Sequence, residues 1–316
     1  MTVDNILDMK YLNDLIPAMA EEGLETELFF EVKSNLKKEQ IRLLHDAGIK
    51  TIQAGVESLS TPILTLMRKG VTTLQNVQTL KWCKELGVKA YWNILWGFPG
   101  ETAAEYEHMA AMVPSLHHLR PPTYAGPVRL DRFSPYYEEA ASFGFSDVQP
   151  YVAYSHVYPF EPSVLRNLAY YFTARFPAPV APDVYARCLD ERVIEWRSVH
   201  DQSDVFSTDD GTTLKIFDTR PTARRSLTEL SGLERALYEA CDGIRSNVQL
   251  QSVARETHER DITTEDIDAI LAPLVDSGLV LREGNKYLSL AIPVGVYSPS
   301  NQILARFLAH TLDQAA

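Results

Sequence analysis

The sequence predicts an α/β chain: strand–helix units around a parallel sheet, then helices, then a small winged-helix-like α+β module. Three observations lead there. Short β-prone apolar runs alternate with helical periodicities over the first 120 residues, the pattern of a parallel sheet covered by helices. A proline- and tyrosine-rich stretch from Pro121 to Pro159 then breaks the alternation. After about residue 203, three helical periodicities lead into a closing hairpin pattern.

Residues 8–22 read as a helix with Leu12, Leu15 and Ile16 inward and Gly23 past its end. Leu28 to Lys33 is a short buried strand. Asn35 can cap the next helix, whose Leu36, Leu43, Leu44 and Ala47 share a face before Gly48. Ile49 to Val56 returns as a strand that ends in Glu57-Ser58. Thr61-Pro62 opens a helix with proline where its missing N–H costs nothing. Leu74, Val77, Leu80 and Cys83 mark another, stopping at Gly87. Val88 to Leu95 is the third strand, Gly97 to Gly100 a turn, and Thr102 with Glu105 a capping box. Glu31, Glu57 and Asn93 thus recur at strand carboxyl ends, the edge where parallel α/β folds bind ligands.

The stretch at 121–159 reads as a long irregular segment, too aromatic for disorder. Residues 163–176 and 182–199 read as helices around the linker PAPVAP at 177–182. In the last part, Asp210-Gly211 turns into a strand from Thr213 to Asp218. Ser231 and Glu234 cap a helix through Leu237 and Tyr238, and a shorter one follows near 247–256. Ile267, Ile270, Leu271 and Leu274 define a third, before a hairpin turning at Glu283-Gly284-Asn285. The expected organisation is a parallel unit at 1–160, a helical connector at 161–202, a winged-helix-like module at 203–296 and a tail helix at 297–316.

Composition narrows the function. With 316 residues, 45% hydrophobic and 23% charged, the chain can bury a sizeable core as one large or two ordinary domains. No apolar stretch reaches the roughly 18–20 residues of a membrane span. The acidic opening MTVDNILDMK is unlike a signal peptide, so a cytoplasmic location is expected. The net charge of −12 argues against a nucleic-acid surface. Cys83, Cys188 and Cys241 lie far apart and form no CxxC clip, so no metal site is expected.

Several blocks resemble one family. VDNILDMKYL, FFEVKSNL, IQAGVESLSTPILTLMRKGVT, WNILWGFPGET and PPTYAGPVRLDRFSPYY are similar to consecutive segments of cobalamin-binding radical S-adenosylmethionine enzymes. More narrowly, they resemble the group that matures ribosomally synthesised peptides (RiPPs), bacteriocins among them. Gly55-Val56-Glu57-Ser58 with Met67-Arg68-Lys69-Gly70 carries the superfamily likeness, and the tyrosine-rich block narrows it. The resemblance implies a partial TIM-like (β/α) barrel, from about its third to its sixth strand, and it continues through the DERVIEW helix to Tyr287–Ala291. Full-length members have an amino-terminal cobalamin domain and a Cys-x3-Cys-x2-Cys loop whose thiolates hold a 4Fe-4S cluster. This sequence contains no such cysteine motif.

The S-adenosylmethionine contacts that the resemblance implies fall on Glu31 and Asn93 for the ribose, and on Glu57 for the methionine ammonium. Arg68 would meet the methionine carboxylate, or Lys69 if the register slips by one. Leu95 and Gly97, with the turn to Gly100, would border the adenine. Tyr124, Arg129, Asp131 and Arg132 would contact a precursor peptide, while the catalytic group is left open.

Two functions of different class follow. In one, the chain is the carboxyl-terminal part of a cobalamin-dependent C-methyltransferase acting on a precursor peptide. In the other it is a non-catalytic leader-peptide-binding partner, or half of a split radical enzyme whose amino-terminal half is a separate chain. A DNA-binding winged helix fits poorly, since residues 201–316 hold 11 basic and 18 acidic side chains. An unrelated hydrolase fits no better, as G-x-S-x-G and H-E-x-x-H are both missing and His117-His118 has no spaced partner.

Overall fold

A computed structural model of the protein describes residues 6–23, 28–175, 180–259 and 261–305. Its first part is built on parallel strands. β1 (Phe29–Val32), β2 (Thr51–Ala54) and β3 (Lys89–Tyr91) lie side by side in that order. Glu31 sits opposite Gln53, and Gln53 opposite Tyr91. Beyond Trp92 the chain continues as β4 (Asn93–Trp96), paired in parallel with β5 (Tyr124–Pro127). A bridge from Glu57 to Ile94 keeps β4 beside the end of β2.

Parallel neighbours need long crossovers, and helices supply them. α1 (Leu15–Glu22) precedes β1, α2 (Lys38–Asp46) links β1 to β2, and α3 (Thr61–Leu66) and α4 (Thr73–Glu85) link β2 to β3. α5 (Ala103–Met112) links β4 to β5. The result is an arc of a TIM-like (β/α) barrel.

The strands alternate with period two. Phe30, Val32, Ile52, Ala54, Ala90, Trp92, Ile94 and Trp96 are buried. Glu31, Gln53, Tyr91, Asn93 and Leu95, on the other face, are half-buried. One face therefore makes the core and the other a polar row.

Several expected details change. Leu15 is exposed, because a 3-10 turn at Met9–Leu12 rotates the start of the helix and leaves Leu12 and Ile16 as its buried contacts. α2 begins at Lys38, not after an Asn35 cap; the Gln40 side chain accepts the Lys37 N–H instead. Thr102 makes no side-chain cap, since Glu105 turns away to accept the Ser60 hydroxyl. Ser231 likewise caps nothing with its side chain.

The segment at 121–159 is more ordered than expected. After β5 come β6 (Leu130–Asp131), α6 (Pro135–Glu138), β7 (Ser146–Pro150), α7 (Ala153–Val157) and α8 (Pro162–Leu168). The helix expected over 163–176 stops at Leu168, and Tyr171–Arg175 is β8, the centre of an antiparallel sheet β6-β8-β7. The β-prone run Tyr171, Phe172 and Thr173 pairs with β6 and β7, and that pairing wins over helix periodicity there. Residues 177–179 of the linker lie outside the described residues.

α9 (Pro182–Tyr185) leads into α10 (Arg187–Val199), which buries Leu189, Val193 and Trp196. Trp196 donates its indole N–H to Leu119 O at 2.9 Å and meets Trp92 edge-on at 5.8 Å. The last module begins with β9 (Val205–Asp209), β10 (Thr213–Asp218) and β11 (Leu227–Ser231). Helices α11 (Gly232–Ala240), α12 (Asn247–His258) and α13 (Thr264–Asp276) follow, with β12 (Arg245–Ser246) between the first two. β13 (Val280–Glu283) and β14 (Lys286–Ser289) form the wing, and β15 (Ile292–Pro293) joins the β11-β10-β9 sheet beside β9. Of the tail helix expected over 297–316, helix is found at 301–305, and 306–316 lie outside the described residues.

Ion pairs and apolar contacts tie the module to α2, α4 and the turn after α5. Lys81, fully buried, pairs with Asp242 at 2.9 Å and donates to Ser289 O at 2.8 Å. Lys38 joins Asp242 at 3.0 Å and Glu85 at 2.7 Å. Arg220 grips Asp218 and donates to Ser115 O at 2.6 Å and Gly278 O at 2.9 Å. Leu288, Leu290 and Ile292 complete the barrel's own core.

Candidate functional site

The carboxyl edge of the parallel strands opens into a cleft of about 1090 Å3. Gln53, Asn93 and Leu95 form its floor, and Gly97, Tyr124, Arg129 and Asp131 are among its walls. Asn93 and Tyr124 are register partners on β4 and β5. Gly97 adopts φ +90, which favours glycine, and lets the chain turn sharply out of β4. Glu101 fastens that turn: its carboxylate accepts the Gly97 N–H at 2.5 Å, the Tyr106 hydroxyl at 2.7 Å and the Tyr185 hydroxyl.

Beside the cleft, Glu57 follows β2 in a left-handed conformation, φ +57. Its carboxylate meets Lys69 Nζ at 2.8 Å, each side chain one-quarter exposed. Lys69 is aimed by the end of α3. Arg68 takes φ +54 at the position where helices favour glycine, and Lys69 N–H closes on Leu64 O at 3.0 Å. That turn points Arg68 away. Its guanidinium lies 4.0 Å from the Phe143 ring centroid, 3.3 Å from Glu139 and 2.9 Å from Ser142 O. Of the two bases, Lys69 is the one at the strand edge. The Tyr136 hydroxyl donates to Met67 O at 3.2 Å, and burial together with the Glu57 charge pushes its pKa up.

Glu31 lies one strand further along the polar row, opposite Gln53, and burial raises its carboxyl. Arg129 is held to Asp131 at 2.8 Å and lies over Tyr171, 3.8 Å from the ring centroid. Arg132, expected beside them, is drawn off to Ala169 O at 2.7 Å and to Arg166 O. Gln53 and the tyrosines 151, 154, 158 and 171 also line the cleft. Period-two alternation within β2 could have revealed Gln53; β7, α7 and β8 place the tyrosines.

The cysteines do not offer a cluster site. Cys83 and Cys241 are buried, with thiols pushed up to about 12 by desolvation, and Cys188 lies apart on α10. Among the described residues no three His, Cys, Asp or Glu side chains gather as metal ligands. None of the described helices is long and apolar enough to cross a membrane.

Residues 2–113 match the model of the Radical SAM superfamily. This part of the chain is a Radical SAM superfamily domain. The uncharacterized methyltransferase PH0819 of Pyrococcus horikoshii is 30% identical over 102 residues, 32% of this chain and 22% of that protein. The chain thus spans about a fifth of the length of the curated relative it matches. Among solved structures, the radical S-adenosylmethionine methyltransferase TsrM from Kitasatospora setae is 16% identical, covering 60% of this chain and 41% of its own, at a TM-score of 0.39. Coproporphyrinogen III oxidase HemN from Escherichia coli, a Radical SAM enzyme, is 12% identical over 98% of this chain and 75% of its own, at 0.37. The barrel assignment rests on the strand order and the family match.

Proposed function

We propose that the strand edge binds S-adenosylmethionine, and that the chain is the carboxyl-terminal part of a radical S-adenosylmethionine methyltransferase acting on a ribosomally made precursor peptide. One observation carries the reading: the half-buried Glu57–Lys69 pair beside the cleft. An amino acid zwitterion complements such a pair, its ammonium on Glu57 and its carboxylate on Lys69. Glu31 and Asn93 would serve the ribose, and Leu95 with Gly97 the adenine. Bound S-adenosylmethionine supplies a sulfonium whose carbon–sulfur bonds are the reactive ones. The protein binds and orients it, and Trp96, Phe98 and Tyr106, all buried, keep water from beneath the edge.

The cluster and the cobalamin of such an enzyme would be held by other parts of a longer protein, because this chain's thiols do not fit the cluster. Those sequestered thiols also support a second reading: a peptide-binding partner, or one half of a split enzyme. Either reading keeps the precursor peptide as partner and dispenses with nucleic acid and membrane.

Equilibrium dialysis of the full chain with labelled S-adenosylmethionine tests the site. Saturable binding is expected, weakened at least about tenfold by Glu57→Gln or Lys69→Met, since a charged hydrogen bond contributes about 1.5–3 kcal/mol. Arg68→Met should leave it within about twofold, as that side chain points elsewhere. No binding, or equal losses in all three variants, overturns the reading.

A further inference from the structure

Glu57 leaves β2 in an unusual turn. The Val56 carbonyl accepts the Ser58 N–H at 2.7 Å, closing a three-residue turn whose central residue, Glu57, has φ +57. Turns of this kind with a positive central φ are rare and strained. Such a backbone persists only where its surroundings over-determine it. Here they are one side chain and one strand. Asn76 of α4, fully buried, donates from Nδ2 to Val56 O at 3.1 Å and to Ser58 O at 2.8 Å. The carbonyl between them, that of Glu57 itself, accepts the Leu95 N–H at 3.0 Å. Every carbonyl of the turn is thereby held, and one amide clasps both flanks of Glu57.

Asn76 is one of a row. Thr73, Asn76 and Thr79 recur at three-residue spacing on α4 and are all buried. Thr73 donates to Leu59 O at 3.0 Å and Thr79 to Ser34 O at 2.7 Å, so the row laces the loops that follow β2 and β1. Asn76 differs from the threonines in what it leaves undone. Its Oδ1 is buried with no hydrogen-bond partner among the described residues. The nitrogen must be the atom that faces Val56 and Ser58, because an oxygen there would meet only acceptors. A bare buried amide oxygen is unfavourable and calls for a reason. Packing alone does not give one, since a leucine would fill the same space with no polar atom to satisfy. Holding the Glu57 turn does.

We propose that Asn76 is a positioning residue: it fixes the Glu57 turn so that the carboxylate stands against Lys69 Nζ, at 2.8 Å, and receives the ammonium of the ligand. This rests on the reading of the edge as a S-adenosylmethionine site, and it adds the group that sets the preference for an amino acid moiety. Asn76 acts only through the backbone on either side of Glu57. Without its two hydrogen bonds the turn relaxes toward negative φ and carries the carboxylate off the edge. In the same reading the adenosine rests on Glu31, Asn93, Leu95 and Gly97, none of which Asn76 bonds. Loss of the clasp therefore weakens the grip on the amino acid end and spares the adenosine end.

The test compares two labelled ligands on the full chain by equilibrium dialysis: S-adenosylmethionine, and 5′-methylthioadenosine, which keeps the adenosine and the sulfur but has no amino acid moiety. Asn76→Leu, similar in size but without the donors, should weaken S-adenosylmethionine about tenfold. It should weaken 5′-methylthioadenosine less than about twofold. Made in a Glu57→Gln chain, it should add less than about twofold, because the two residues act as one unit. Hydrogen exchange gives a reading that needs no ligand. The Ser58 amide should exchange at least about tenfold faster in Asn76→Leu, while the amides of residues 80–85 on α4 keep their rates. Asn76→Ser, with one donor in place of two, is the second variant where Asn76→Leu does not fold, and it should move each reading the same way; circular dichroism checks both. Equal weakening of the two ligands, full additivity with Glu57→Gln, unchanged S-adenosylmethionine binding or unchanged Ser58 exchange overturns the proposal. If the native chain binds no S-adenosylmethionine, the cofactor reading falls by itself. Ser58 exchange then decides the clasp: a faster rate supports it and an unchanged rate refutes it.

Discussion

Lys81 gives the sharpest test of how the carboxyl-terminal module is held. Its side chain is fully buried, and its ammonium reaches Asp242 Oδ1 at 2.9 Å, Asp242 O at 3.1 Å, Ser289 O at 2.8 Å and Ser289 Oγ at 3.3 Å. All three N–H groups have acceptors; desolvation still pulls its pKa down, and the Asp242 charge counters only part of that. Lys81→Met keeps the stem and removes the charge. Two main-chain carbonyls and one side of Asp242 then lose their donor, and Lys38 at 3.0 Å compensates only in part. Asp242 is 36% exposed and keeps Lys38, so the main loss is that of the buried carbonyls left without a donor, about 1–3 kcal/mol. Urea unfolding followed by tryptophan fluorescence and far-UV circular dichroism measures it. Adding Asp242→Asn should recover part of the loss, because it removes the stranded charge. A loss below about 1 kcal/mol would refute the reasoning and would show that apolar contact holds the module.

Acid should loosen the same region. His117 and His118 are fully buried and His200 lies close by; desolvation holds all three below their ordinary pKa, with Lys84 and Arg220 adding repulsion at His118. The unfolded chain therefore takes up protons more readily, so stability is complete above about pH 6.5 and falls below it. Thermal melts from about pH 7.5 to 5.5 should show a falling midpoint, and His118→Gln should flatten part of the slope. Gly97→Ala should destabilise by about 1–3 kcal/mol through its backbone alone. A Cβ there meets Pro182 and Val128 at 3.8 Å, ordinary contact, so a larger loss in urea unfolding would contradict the assignment.

The parallel strands were legible because their period-two burial and their glycine stops agree with each other. β3 and β4 were read as one strand, and they run on through Trp92 with a single alternation. The stretch at 121–175 was not legible, since its proline spacing hides two-residue strands such as Leu130–Asp131. Those strands gain stability only by pairing with β8, a contact between segments about forty residues apart. Caps failed for a related reason. Glu105 fits a local capping box, yet the Ser60 hydroxyl just before α3 offers it a buried partner. A local pattern cannot foresee a tertiary competitor.

The site divides along the same line. Glu57 and Asn93 stood out because strand ends are local features. Choosing between Arg68 and Lys69 needed the backbone, since both are bases and one residue of register separates them. At φ +54 the chain turns Arg68 back over Phe143 and brings Lys69 to Glu57. A non-glycine residue in that conformation costs about 1–2 kcal/mol. The Phe143 and Glu139 contacts offset part of that strain. Arg68 therefore acts on the edge only through the turn that aims Lys69, and an assay that separates Arg68→Met from Lys69→Met reads that geometry directly.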